Sequence, residues 1–485
     1  AGGAGRLLAP QEVVERVLAG SRGAGCVVIV EESSQAEVRF ANNATTTNGM
    51  RRGRRVTVVS LASTPGGIAA GVASRTGATA AEVDELRAAA EADAAGAAPA
   101  EDAAPLVTPA GAVGAGGAGA GGTGAAGAGG AGGWDDPPAV TGVSSLSGLL
   151  GPLGDAFGRA RSAALVLAGF AEAHLDTVYL GTSTGLRLRH VQPTGKLQLV
   201  GRSLDGSRSA WVGAGRADLE AVDLGPLEHE LLARLSWAER RVDLPAGRYE
   251  TILPPDAVAD LMISAYWAMG GQEAEDGRTV FSAPGGSTRV GEALSPQPFS
   301  LASDPAMAGI GCLPFVVAPA SGDDVSVFDN GLDLGPTSWI TDGRLAHLRY
   351  HRAGAARSGV EPTVPVDNLA LSLPGATAAL PELVGSTDRG LLLTCLWYIR
   401  EVDPSTLLLT GLTRDGVYLV EKGEVVGAVN NFRFNESPVD LLRRATEAGV
   451  TAPALSREWN EYFSRTAMPA LRVEGFNMST VSPAN

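Results

Sequence analysis

Five histidines, His174, His190, His229, His347 and His351, are the side chains with which this chain could most readily bind a metal or move protons. His347 and His351 are four apart, which would put both imidazoles on one face of a helix, the arrangement that suits a metal ion. Their context, Ile340-Thr341-Asp342-Gly343-Arg344-Leu345-Ala346-His347-Leu348-Arg349-Tyr350-His351, instead predicts a strand after an Asp-Gly turn, with both histidines and Arg349 on one face. That face could share a ligand, or do acid/base work with Asp342, or simply line a cleft with polar groups. His229-Glu230 begins like a zinc-binding helix, but Arg234 stands where a second ligand would and repels a cation. The segment reads as a helix surface with His229 near solvent.

Other constellations are weaker. Cys26, Cys312 and Cys395 sit among apolar residues, which predicts buried, inert thiols, and there is no Cys-x-x-Cys pair. Gly181-Thr182-Ser183-Thr184-Gly185 fits a Gly-x-Ser-x-Gly pattern, yet a nucleophile elbow must open a helix, and residues 186–190 alternate like a strand. A hairpin turn is predicted there. Asp323-Asp324 and the group Glu273, Glu275 and Asp276 could attract a cation or only solvate loops.

The elements that must position these residues divide into an N-terminal α/β domain, 1–195, connecting strands and a helix, 196–246, and a C-terminal domain, 247–485, rich in antiparallel strands. Helices are predicted at 11–19, 80–92, 146–167 and 225–238. Strands are predicted at 26–31, 36–42, 54–60, 177–180, 186–192, 196–202 and 209–213, the last four forming a meander that joins the domains. The fold class is α/β (α+β). Residues 94–133 are dominated by Ala and Gly and offer too little side-chain surface to offset ordering, so a flexible insertion is expected; no strand precedes its Gly-x-Gly-x-x-Gly matches, which excludes a dinucleotide fingerprint. Residues 391–438 alternate through Val417, Leu419, Val425 and Val429, with turn signals at Asp415-Gly416 and Lys422-Gly423, and predict a meander. The amide-rich segment at its end, Asn430 to Asn435, reads on these grounds as a capped turn before Pro438.

Composition sets outer bounds. The 485 residues are 45% hydrophobic, ample for two cores, and a net charge of −15 argues against a nucleic-acid groove. The small basic cluster Arg51-Arg52-Gly53-Arg54-Arg55 reads as a solvated turn or a partner-facing edge. No apolar run is long enough to span a bilayer, and the start reads as an amphipathic helix and not a secretion signal. With three scattered cysteines, a cytoplasmic protein is expected.

The wording of the C-terminal half says more than its periodicity. Trp397-Tyr398-Ile399-Arg400, Val402-Asp403-Pro404, the run from Thr410 to Glu421, Asn431-Phe432-Arg433-Phe434, and the closing Met468 to Glu474 with Met478-Ser479 closely resemble the C-terminal domain of the TldD/PmbA family, in particular its PmbA (TldE) branch. The resemblance implies a two-domain fold of that type. It also implies comparison with zinc peptidases in which a helix carries His-Glu-x-x-x-His and a Cys near the C-terminus adds a ligand. Histidines five apart lie roughly 140° round a regular helix, so they converge only if the helix is distorted. In this chain the motif positions fall at Ile263, Ser264 and Ala268, on a helix expected at 257–270, and no Cys occurs in 456–485. The resemblance therefore implies a metal-free subunit with no cofactor of its own, pairing with a TldD-type paralogue that carries zinc and enclosing a peptide substrate. Asn430, Asn431, Arg433 and Asn435 are its channel candidates. Two alternatives stand beside it: a hydrolase active alone through a relocated site at His347 and His351, and a homodimeric peptide-binding protein.

Overall fold

The computed structural model describes residues 6–109 and 133–483. Its N-terminal part is built on a six-stranded sheet of β1 (Gly25–Ala41), β2 (Ala44–Thr64), β3 (Gly67–Thr76), β4 (Leu165–Thr182), β5 (Arg187–Ser203) and β6 (Ser209–Arg216). The order is β3-β2-β1-β4-β5-β6, and every neighbour is antiparallel. Helices α1 (Pro10–Gly20) and α2 (Ala80–Gly96) cover one end, and α3 (Ser147–Ser162) and α4 (Leu224–Trp237) the other.

The unbroken apolar run at the start of β1 has a structural cause. Val28 and Val30 face α1 and α2, packing with Val13, Val17 and Leu86. Val27 and Ile29 face the opposite way, onto Phe315, Val327 and Phe328 of the C-terminal part. A strand covered on both faces has no solvent side for polar residues. Gly71 of β3 lets α2 approach, because a Cβ there would stand 2.0 Å from the Ala94 nitrogen.

Several expected boundaries move. Residues 26–31 and 36–42 belong to the single strand β1, and β5 runs through the expected boundary between 195 and 196. Residues 196–246 are thus not a separate connector: β5, β6 and α4 complete the N-terminal sheet and its cover. The helix expected at 146–167 ends at Ser162, and β4 begins at Leu165. Most of the insertion predicted at 94–133 lies outside the described residues; its first part is fixed, with Ala100 donating to the Ile68 carbonyl at 2.8 Å. The basic cluster is no turn but part of β2, and Arg54 there pairs with Glu32.

The C-terminal part centres on a ten-stranded sheet. Its order is Trp397–Asp403, Leu408–Leu412, Phe432–Glu436, Leu471–Val481, β8 (Gly247–Leu253), Arg389–Leu393, Val417–Glu421, Glu424–Val429 and β7 (Arg241–Val242), with Ala445–Ala448 paired off this path. The meander predicted for 391–438 is only partly present. Lys422-Gly423 does close a hairpin, both residues having the positive φ it requires, 51° and 80°. The strands flanking Asp415-Gly416 do not pair with each other, so that turn is a crossover between distant places in the sheet. Helix α5 (Pro255–Trp267) packs against Ala452–Ala454 and Thr466–Met468 of a second, six-stranded sheet.

Candidate functional site

Helix α5 starts at the Pro254-Pro255 pair, which presets the first turn, and stops before Gly270-Gly271. Every side chain from Ala257 to Tyr266 is buried. Ile263 is fully enclosed in the main core, Ser264 donates to the Asp260 carbonyl at 3.1 Å, and Ala268 lies just beyond the helix end. The three positions do not converge: Ser264 and Ala268 line a cavity, while Ile263 points into packed apolar side chains. A zinc ion needs several N, S or O donors fixed around it, and these side chains do not fit one. Among the described residues no group of three or more His, Cys, Asp or Glu could hold a metal ion.

Two carboxyls on α5 escaped sequence reasoning. Asp256 and Asp260, four apart in an apolar helix, take backbone donors from the segment after Ala454: Leu455 N to Asp256 at 2.8 Å and Glu458 N to Asp260 at 2.9 Å, with the Ser456 hydroxyl also on Asp260. Burial pushes Asp256 up to about 7 and Asp260 up to about 8, against those hydrogen bonds. Their signal was present in the sequence, since an ionisable pair in an otherwise apolar helix must find partners.

The cavity beside Ser264 and Ala268 measures about 230 Å³. Trp267 and Trp459 form one side, their rings edge to face at 5.1 Å, and the buried Ile399, Leu407 and Leu409 form another. Glu273, Arg278 and Glu401 supply its charges. Burial, then Asp403 and Glu273, push the Glu401 carboxyl above its ordinary value.

A second, wider cleft of about 1080 Å³ separates the two parts of the chain. Arg52, Arg54 and Arg55 of β2 and His190 of β5 face Asp367 and Arg465 across it. Burial holds His190 below the usual imidazole range and raises Asp367.

The channel candidates divide. Asn430 is buried, its Oδ1 accepting from Leu244 N at 2.7 Å. Asn431 lines a different cavity, of about 360 Å³, with Arg414 and Tyr418. Arg433 and Asn435 alternate along Phe432–Glu436 on one sheet face, opposite the buried Phe432 and Phe434, and Asn435 accepts from Thr410 and Ser479 at 3.2 and 2.9 Å. The segment is therefore an inner strand, not the capped turn of the alternative reading, and only Arg433 and Asn435 share a surface.

His347 and His351 do not share a strand face, because the strand ends at Leu345. His347 is exposed, donating from Nδ1 to the Ser338 carbonyl at 2.7 Å. His351 is buried and caps the helix Arg352–Ser358, its Nδ1 accepting from Gly354 N at 3.2 Å. His229 is exposed on α4 as expected, but Arg234 is buried, bonded to the Trp211 carbonyl and Glu230. Residues 183–186 form the turn between β4 and β5. All three cysteines are buried, which pushes Cys26 up to about 11, Cys312 up to about 12, and Cys395 well up. The acids near Glu273 are bridged by Arg278, Asp324 pairs with Arg349, and Tyr350 donates to Glu275.

Comparison with known proteins bears on all of this. Residues 246–480 match the PmbA/TldA metallopeptidase C-terminal domain. TldE from Thermococcus kodakarensis superposes with a TM-score of 0.75 over 96% of this chain and 99% of its own, at 16% identity. A Thermotoga maritima protein described as a modulator of a DNA gyrase gives the same TM-score, 0.75, identity, 16%, and coverage, 96% and 99%. A Bacteroides thetaiotaomicron protein of like description gives 0.71 at 14% identity, over 97% of this chain and 98% of its own. No curated protein matches. At such identities the structural likeness speaks to fold alone.

Proposed function

The chain belongs to the TldD/PmbA family, and from that premise we propose that it is the metal-free, TldE-type subunit of a two-chain peptidase whose TldD-type paralogue carries the zinc. The observation that carries the reading is the set of side chains at the motif positions of α5. Ile263 and Ala268 offer no donor, and the Ser264 hydroxyl is spent on a backbone carbonyl. No hydrolytic step is assigned to this chain, and its own part is binding.

An extended peptide is held best along an open strand edge, where backbone pairing tolerates varied side chains. The strand Trp397–Asp403 stands at one end of the ten-stranded order, where a peptide would displace the Glu458 carboxylate that now accepts from Tyr398 N and Ile399 N at 3.0 and 3.1 Å, and two of its residues, Ile399 and Glu401, line the cavity below α5. Arg433 and Asn435 offer a guanidinium and an amide on the same sheet. Such a subunit would enclose the substrate in the cytoplasm while its partner cleaves. Among the described residues no helix is long and apolar enough to cross a membrane.

The test is peptide cleavage by this chain alone, by the paralogue alone and by the two mixed. Cleavage that requires the pair agrees with the reading. Cleavage by this chain alone, lost in His347→Ala, would replace it with a self-sufficient hydrolase. Binding of peptide by homodimers, with no cleavage in any mixture, would replace it with a binding protein.

A further inference from the structure

The cavity below α5 is suited to one kind of occupant. Its inner surface is apolar and aromatic, from Trp267, Trp459 and Leu409, and its carboxylates are Glu273 and Glu401. Arg278 cannot neutralise both. Its Nη2 lies 3.1 Å from Asp276 and 3.4 Å from Asp323, and its Nη1 lies 3.7 Å from Glu273. Glu401 has no ion-pair partner among the described residues. A wider space of about 790 Å³ adjoins at Arg278 and carries Asp102, Asp276 and Asp323, so the excess of negative charge continues outward.

We propose that this cavity receives the cationic side chain, Lys or Arg, of a bound peptide, and so gives the subunit a preference for basic sequences. The inference rests on the peptide-binding reading above. An ammonium or guanidinium gains from indoles and from carboxylates partly withdrawn from water, while its methylene stem buries against the apolar side. A carboxylate would be repelled by Glu273 and Glu401. An aliphatic side chain would fill the space but leave those carboxylates desolvated with nothing to offset the cost. The location agrees: Ile399 and Glu401 are two apart on the end strand, so a peptide laid along it directs an alternate side chain at the cavity.

Two labelled peptides differing only in Lys or norleucine at one position separate the possibilities, titrated against the full chain. The Lys peptide is expected to bind about tenfold more tightly or better. The pair Glu273→Gln and Glu401→Gln should bring the two peptides to equal affinity, because it removes both the charge that favours Lys and the desolvation cost that disfavours norleucine. Glu401→Lys, at an exposed strand position, serves as a second variant should the first fold poorly, and should reverse the preference. Equal affinities for the two peptides would overturn the cationic pocket while leaving peptide binding intact. If neither peptide binds, the peptide reading falls, and the pocket is judged with n-butylammonium and n-butylguanidinium by calorimetry. Binding lost in Glu401→Gln would then retain the pocket; no binding would overturn it.

Discussion

Helix α5 buries every side chain from Ala257 to Tyr266, whereas the strand Phe432–Glu436 buries Phe432 and Phe434 and turns Arg433 and Asn435 outward. Both lie in the same core, yet only the strand keeps a face on which chemistry can be presented. A helix stretch so enclosed retains polar groups where backbone partners meet them, as at Asp260, which accepts from Glu458 N, and Ser264, which donates to the Asp260 carbonyl. A domain of this kind can thus present polar side chains along its strands while a helix beside them serves only packing. The cavity opens at the end of that helix, beside Ser264 and Ala268.

Phe434→Ala should give the largest effect, about 3–5 kcal/mol of lost stability, because the ring is fully buried beside Phe476, with centroids 5.8 Å apart. Denaturant unfolding measures it, and a loss below about 1 kcal/mol would deny the strand its core role. Ile263→His, at the first position the resemblance assigns to the motif, should cost about 2–3 kcal/mol, since it places an unpartnered imidazole in packed surroundings. A neutral outcome would mean that α5 still has room for ligands.

A smaller effect concerns pH. Asp256 and Asp260 hold their protons to about 7 and about 8 in the fold, against an ordinary value of 3.8, so the folded state binds more protons across that interval. Their contribution is fully present below about pH 4 and is lost as pH rises through about 7 to 8. The melting temperature should fall between about pH 5 and about pH 8.5, and Asp260→Asn should flatten that fall. An unchanged slope in the variant would show that these carboxyls are already ionised. Smallest for stability is Arg433→Ala, expected within about 0.5 kcal/mol of the parent. The same substitution should weaken peptide binding roughly fivefold, and unchanged affinity would remove Arg433 from the channel.

The sequence made some of this legible, and its misreadings have physical causes. Val417 and Leu419 face the main core as their alternation predicts, but Val425 packs in a different cluster with Val420. The register shifts between Leu419 and Val420, inserting one residue opposite, and a bulge of that kind sends alternate side chains to the other face. Strands β1 and β5 each looked like two because charged or kinked stretches, Glu31-Glu32 and Pro193, interrupt runs far longer than a usual strand. His347 and His351 were misplaced because the extended segment leaves its sheet after Leu345. That Ile263, Ser264 and Ala268 do not fit a zinc ion could be read from their residue types once the resemblance located those positions. The cavity could not, since Ser264, Glu273, Glu401 and Trp459 are far apart in sequence and only packing unites them.

Metal analysis of the chain purified by itself, and again together with the zinc-bearing paralogue that the proposal calls for, is the most direct check on the account. Well under about 0.1 zinc per chain is expected for the isolated protein, and close to one per pair for the complex. Stoichiometric zinc on the isolated chain, retained through dialysis against a chelator, would contradict it.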